Sequence, residues 1–190
     1  MPLLLEHGVG VTTRQIAEAA GIAEGTIFRV FPDKESLIEA TVVTAFDPEP
    51  VEQALRAIDL DAPLEQRLVE AVDVLRRRLT TIWQLMTAAG LTKVPDEHRG
   101  PPNLEALAAL FEPERDQLRR EPLAAAQLLR GLTFAGSHPA LIVDEALPSA
   151  EIVSVLLDGI RARPDTPDPP ARSERSRRSP AAKDRSARRR

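Results

Sequence analysis

Apolar residues recur at steps of three and four from Leu64 through Leu68, Val72, Leu75, Leu79 and Ile82 to Met86. That interval lines them along one face of an α-helix, so one long helix with a continuous apolar stripe is predicted over residues 63–89. Arg76, Arg77 and Arg78 lie off the stripe and are expected to be solvated surface. A second apolar run, Ile152, Val153, Val155, Leu156, Leu157, Gly159 and Ile160, predicts a helix over about 149–162. Its apolar face is too broad for one neighbour and needs cover on more than one side. No period-two alternation marks a half-buried strand. The expected fold class is all-α.

Helix breakers divide the remainder. Asp33 can cap a helix running to about Ala45, and Asp47-Pro48-Glu49-Pro50 then interrupts the chain. A short helix over Val51 to Ile58 follows, and beyond the long helix Leu91 to Pro102 reads as an irregular connection. Asn103 is placed to cap a helix through Phe111, Pro113 to restart one to Arg120, and Pro122 to open another running to about Gly136. The expected organisation is a head over residues 1–46, a helical body over 47–163, and a tail over 164–190. The tail, rich in Pro, Ser, Arg and Asp, holds no aromatic or large aliphatic residue. It cannot bury enough surface to offset the entropy of ordering and is expected to be disordered.

The head carries the most specific pattern, TTRQIAEAAGIAEGTIFRVFPDKE over Thr12 to Glu35. Thr12 followed by Gln15 is a capping box, Ile16, Ala17 and Ala20 share a face, and Gly21 can end the helix in the left-handed conformation. A second helix then runs to Val30, before Phe31-Pro32 stops it. Two short helices about a glycine turn, over residues 12–31, make a helix-turn-helix. In that motif the second helix enters the major groove with its first residues at the base edges. Glu24, Gly25, Thr26 and Arg29 are then the groups within reach, with Gly25 letting backbone approach phosphate.

In order and spacing, Gly8, Thr12, Ile16, Ala17, Ala20-Gly21, Gly25-Thr26-Ile27-Phe28, Phe31, Lys34-Glu35 and Leu37 resemble the DNA-binding domain of the TetR (tetracycline-repressor) family of bacterial transcriptional regulators. The resemblance implies DNA contacts from Thr12, Thr13 and Arg14 at the first turn of the motif and from Gly25, Thr26, Phe28 and Arg29 of the recognition helix. It also implies a phosphate contact from Lys34. Four positions depart from the family's usual residues. Ala23 stands where a serine or threonine normally caps the recognition helix, a cap worth about 1 kcal/mol. Phe28 stands in place of tyrosine and lacks its hydroxyl, Val30 in place of histidine, and Glu24 brings a negative charge. The family also has a basic arm and a full first helix before the motif. Only Pro2 to His7 correspond to them, so the chain is expected to begin inside that helix, which is too short to be stable alone.

Charge qualifies the picture, since DNA binders gain affinity chiefly by neutralising phosphates. Residues 1–46 hold Arg14, Arg29 and Lys34 against Glu6, Glu18, Glu24, Asp33, Glu35 and Glu39, a net charge of −3. The whole chain carries −4, while Pro164 to Arg190 hold nine basic and four acidic residues. An acidic body thus ends in a basic tail, whose arginines could supply non-specific attraction to DNA.

The resemblance further implies a two-fold dimer formed by the last two long helices, with Leu128, Leu132, Leu156 and Ile160 suited to the interface, and a small-molecule pocket in the body. Trp83, Met86, Phe111, Phe134 and His138 are its bulky or adaptable candidates. Enzyme chemistry has little to work with. There is no cysteine, His7, His98 and His138 show no metal-ligand spacing, and no glycine-rich phosphate loop follows a strand. No cofactor is expected, nor any membrane partner, because the apolar runs are short and interrupted by charge. The expected protein is a cytoplasmic bacterial regulator, nucleoid-associated when bound to DNA. It would read a palindromic operator as a ligand-responsive homodimer, with repression as its expected action. The competing reading is a dimeric helical ligand-binding or interaction module whose shortened head binds DNA poorly.

Overall fold

The computed structural model describes residues 2–91 and 103–161. In chain order its helices are α1 (Pro2–His7), α2 (Thr13–Ala20), α3 (Glu24–Val30), α4 (Lys34–Thr44), α5 (Glu49–Arg56), α6 (Leu64–Ala88), α7 (Glu105–Ala109), α8 (Pro122–Ala135) and α9 (Ser149–Ile160). Short 3₁₀ turns occupy Gly8–Gly10 and Glu112–Gln117. Among the described residues no strand forms, and the isolated antiparallel pair Leu118–Arg161 joins the end of α9 to the segment before α8. None of the described helices is long and apolar enough to cross a membrane. The expected connection over residues 92–102, with His98, and the expected tail lie outside the described residues.

Two separate hydrophobic cores form, and α6 belongs to both. In the body, Leu68, Ala71, Val72, Val74 and Leu75 of α6 pack with Leu55 and Ile58, Leu107, Leu110 and Phe111, Ala125, Ala126 and Leu129, and Ile152, Val153, Leu156, Leu157 and Ile160. In the head, Leu4, Val11, Ile38 and Val42 close around Leu85, near the other end of α6. At about 1.5 Å rise per residue, the cores are set some 15 Å apart along the helix axis between Leu75 and Leu85. Between them Leu79 and Ile82 are half-buried and Trp83 is exposed. The predicted stripe therefore breaks at its waist. A straight helix presents each core with a slightly different face, and the second core takes Leu85, one position off the stripe, with Met86 packed beside it.

The shortness of α1 is offset in the same way. Leu4 is buried against the end of α6, and Gly8 turns the chain at a φ of +55°. A side chain at Gly8 would bring its Cβ to 3.3 Å from the Ala88 carbonyl, so glycine permits both the turn and the close approach.

Side chains at helix ends do the remaining joining. Arg67, on α6, is almost fully buried. It donates to the carbonyls of Leu60 (2.9 Å), Ala62 (2.6 Å) and Leu110 (3.1 Å) and to the Glu114 carboxylate, tying the α5–α6 turn to the end of α7. Two of the three arginines expected to be solvated are half-buried, because α6 runs beneath neighbouring chain ends that expose carbonyls. Arg76 donates to the Leu147 carbonyl ahead of α9, and Arg78 to the carbonyls of Phe46 (2.7 Å) and Asp47 where the head joins the body. Arg77 alone of the three is exposed.

Truncating Leu85 removes the side chain that the head core closes upon. Leu85→Ala is expected to cost about 2–5 kcal/mol of global stability in urea. Amide exchange should accelerate over α1–α4 before the body does; uniform acceleration across both would contradict a separate head core.

Candidate nucleic-acid interface

The helix-turn-helix forms as its residues dictate. The Thr12 hydroxyl accepts from the Gln15 amide (3.2 Å), while Gln15 Oε1 accepts from the Thr12 amide (2.9 Å) and hydroxyl (2.8 Å), completing the capping box. Gly21 ends α2 in the left-handed region at φ +67°, and the Ile22 amide reaches back to the Ala17 carbonyl (3.0 Å). That is the bonding that lets a glycine close a helix. Ala17 and Ile27 are the buried members, one from each helix.

Burying Ile27 turns the rest of α3 outward. Gly25, Thr26 and Arg29 are exposed, as are Phe28 (50%) and Val30 (70%). Two apolar side chains left this open on a short helix are uncovered by anything within the described chain. No atom lies within 4 Å of where a Gly25 Cβ would sit, so the room preserved by this glycine is on the outer side of the helix.

Ala23 provides no side-chain cap for α3. The Thr26 amide still bonds the Ala23 carbonyl (2.9 Å), and Glu24 occupies the first helical turn, where a carboxylate is favoured by the helix dipole. Its Oε1 accepts from the Thr13 hydroxyl at 2.5 Å, linking the starts of α2 and α3. Of the residues expected to face DNA, Thr13 and Glu24 are thus bonded to each other. Lys34, at the start of α4, donates to the Val9 carbonyl (2.9 Å), which fixes the ammonium beside the motif with further protons to donate. Arg14 and Arg29 are exposed. So are Glu6, Glu18, Glu24, Asp33, Glu35 and Glu39, and the surface around the motif is acidic overall.

Asp33 caps α4 by accepting from Ser36, whose amide lies 2.7 Å from Oδ1. Hydrogen bonds from the Ser36 side chain and then its backbone hold the Asp33 carboxyl below the ordinary carboxylate range. At the far end of α4, burial lowers the Arg78 guanidinium and Asp47 opposes that shift. Sequence reasoning missed this staple, and also Gly8 against Ala88. No local signal marks either, because each joins residues far apart along the chain.

The residues expected to line a pocket are scattered. Phe111 is completely buried in the body core, and Met86 packs in the head core. Trp83 is exposed at the waist of α6, and only Phe134 and His138 touch, with ring centroids 4.8 Å apart. Helical spacing places such groups at intervals along the bundle without bringing them to one place. An open groove of about 310 Å³ lies elsewhere, between Glu65 and Val69 of α6 and Val153, Ser154 and Leu157 of α9. Among the described residues no cluster of His, Asp and Glu could hold a metal ion.

The expected dimer residues also divide. Leu156 and Ile160 are buried in the subunit's own core and Leu132 packs partly against it, because α9 is covered by both α6 and α8. Leu128 alone of the four is exposed, at 44%.

Residues 1–41 match the model of the family described as bacterial regulatory proteins, tetR family. No curated protein matches the chain. Among solved structures, one from Vibrio parahaemolyticus and one from Mesorhizobium loti MAFF303099 are similar, and both are described as TetR-family transcriptional regulators. Each is 18% identical over 85% of this chain, covering 94% and 92% of the other chain, with TM-scores of 0.45 and 0.46.

The Asp33 cap has a signed pH dependence. Because its pKa is lowered in the folded head, the carboxylate stabilises the head above the ordinary carboxylate range, and that contribution is lost as pH falls through the lowered folded value. An NMR titration should place Asp33 below a free aspartate, and the acid loosening of α4 should be weaker in Asp33→Asn, which caps without titrating. Equal acid sensitivity of the two proteins would contradict this.

Proposed function

We propose, starting from a head that belongs to the tetR family of bacterial regulatory proteins, that the chain is a dimeric, ligand-responsive transcriptional repressor reading a palindromic operator through α3. The observation that carries this reading is α3 itself. Ile27 is its one buried side chain, and it turns Gly25, Thr26, Phe28 and Arg29 to solvent, as a helix must do if its outer face is to enter a groove. Thr12, Thr13 and Arg14 at the start of α2, Glu24, and Lys34 complete the proposed DNA contacts.

A palindrome is read by a two-fold pair. Ala124, Leu128, Gly131 and Ala135 form an exposed stripe on α8, and Val155 (55% exposed) and Gly159 lie open on the adjoining α9. No atom lies within 4 Å of a Cβ built at Gly131 or Gly159. Small residues flanking two exposed aliphatic ones permit close approach of a second helix pair, which supports a four-helix interface centred on Leu128 and Val155. An effector would act by binding the two separations of the heads unequally. The joint at which such a shift would reach the head is the Arg78 contact with Phe46 and Asp47.

The acidic head favours a role for the tail. The described chain ends at Arg161, beside Glu65 at the opposite end of α6 from the head, about 30 Å from Leu85 at 1.5 Å per residue. Nine basic residues follow Arg163 and would supply attraction to DNA without regard to sequence.

Fluorescence anisotropy on the protein's own promoter DNA tests the reading. Gly25→Leu, whose Cβ meets no atom within 4 Å, should leave the fold intact and weaken specific binding at least about tenfold, as expected for about 1.4 kcal/mol of obstructed contact. A chain ended after Arg163 should show a shallower salt dependence. No promoter binding by the full chain would defeat the proposal, and an unchanged salt slope would remove the tail from it. In sedimentation, Leu128→Asp combined with Val155→Asp is expected to turn a dimer into a folded monomer. A dimer that persists would place the interface elsewhere.

A further inference from the structure

Glu24 is exposed, yet it is not free to wander as exposed glutamates do. It is the first residue of α3, where the helix dipole favours a carboxylate, and its Oε1 accepts a hydrogen bond from the Thr13 hydroxyl (2.5 Å) in the first turn of α2. The bond spans both helices of the motif, so it holds the carboxylate near the N-terminal end of the helix proposed to enter the groove. It also supplies some of the fixation that Ala23 does not provide as a cap.

A carboxylate offers about four acceptor positions and at neutral pH no donor, and Thr13 occupies one of them. In the major groove it therefore repels guanine N7 and O6, thymine O4 and the phosphates. Two donors remain, the amino groups of adenine and cytosine, and the adenine amino group stands beside the acceptor N7. Cytosine alone presents a donor with no acceptor next to it on its own edge. We propose that Glu24, positioned by Thr13, selects a cytosine at one position of each operator half-site. The inference rests on the DNA-binding reading of α3 and adds to it a base preference.

Selection of binding sequences from a randomised duplex library by the full chain tests it, with Glu24→Gln, Glu24→Ala and Thr13→Val run in parallel. The wild-type chain is expected to enrich one C·G pair per half-site, favoured about tenfold over other bases. Glu24→Gln should move that position toward adenine, since an amide matches the paired donor and acceptor of its edge. Glu24→Ala should erase the preference there and leave the other positions as they were, and Thr13→Val should blunt it although the charge is kept. An unchanged cytosine in Glu24→Ala overturns the inference. So does a uniform gain in affinity for all sequences in both Glu24 variants with no change of base, which would make Glu24 a charge only. If the wild-type chain enriches no sequence, the DNA-binding reading falls as well, whereas enrichment insensitive to Glu24 removes this inference alone. Circular dichroism confirms that each variant is folded before it is compared.

Discussion

Leu85 is completely buried although it lies toward one end of a helix whose other end is packed into a different core. The head depends on that arrangement. Its own contribution is Leu4, Val11, Ile38 and Val42, supported by Leu3, Ile16, Ala45 and Phe46, a small set to exclude water around four short helices. Packing them on α6 lends the head the surface of an element already stabilised elsewhere. It also explains how a helix as short as α1 persists, since its ordering is supported by burial of Leu4 and not by its own hydrogen bonds.

The shared helix is fastened to its neighbours along its length, and the fastenings are arginines. Arg67 gathers the α5–α6 turn and the end of α7, Arg76 holds the approach to α9, and Arg78 holds the end of α4. Each guanidinium meets backbone carbonyls left over at chain ends, so a charged group is brought inside by satisfying acceptors that would otherwise be unpaired. Removing such an arginine strands those carbonyls as well as losing the bond. The head meets α6 at Leu85, beside Gly8 and at Arg78.

The recognition surface is shaped by an opposite economy. One buried side chain, Ile27, secures α3, and nearly everything else on that helix is left to solvent. Acidic residues surround it and reduce the attraction for phosphates in general. On the proposed function, such a surface would lean on contacts that depend on position, such as those of Glu24 and Arg29, more than on charge alone.

Local chemistry made much of this legible. The capping box at Thr12, the left-handed Gly21, the stop before Pro32, the Asp33 cap and the long α6 follow from interactions within a few residues, which the order of residues states directly. The family match over residues 1–41 rests on the same local pattern. Periodicity also announced the broad apolar face of α9, but it cannot say which neighbour covers each side, and the interface residues came from the family resemblance. Leu156 and Ile160 therefore read as interface and proved to be subunit core, while Val155 and Gly159 stayed outside. In the same way Trp83, Met86, Phe111, Phe134 and His138 shared a composition suited to a pocket without sharing a place. Leu85 as the seat of the head, the arginine staples and the Thr13–Glu24 bond were decided only by tertiary structure. Each joins residues that are distant along the chain, and their energies depend on which surfaces meet, whereas caps and turns depend on the residues next to them.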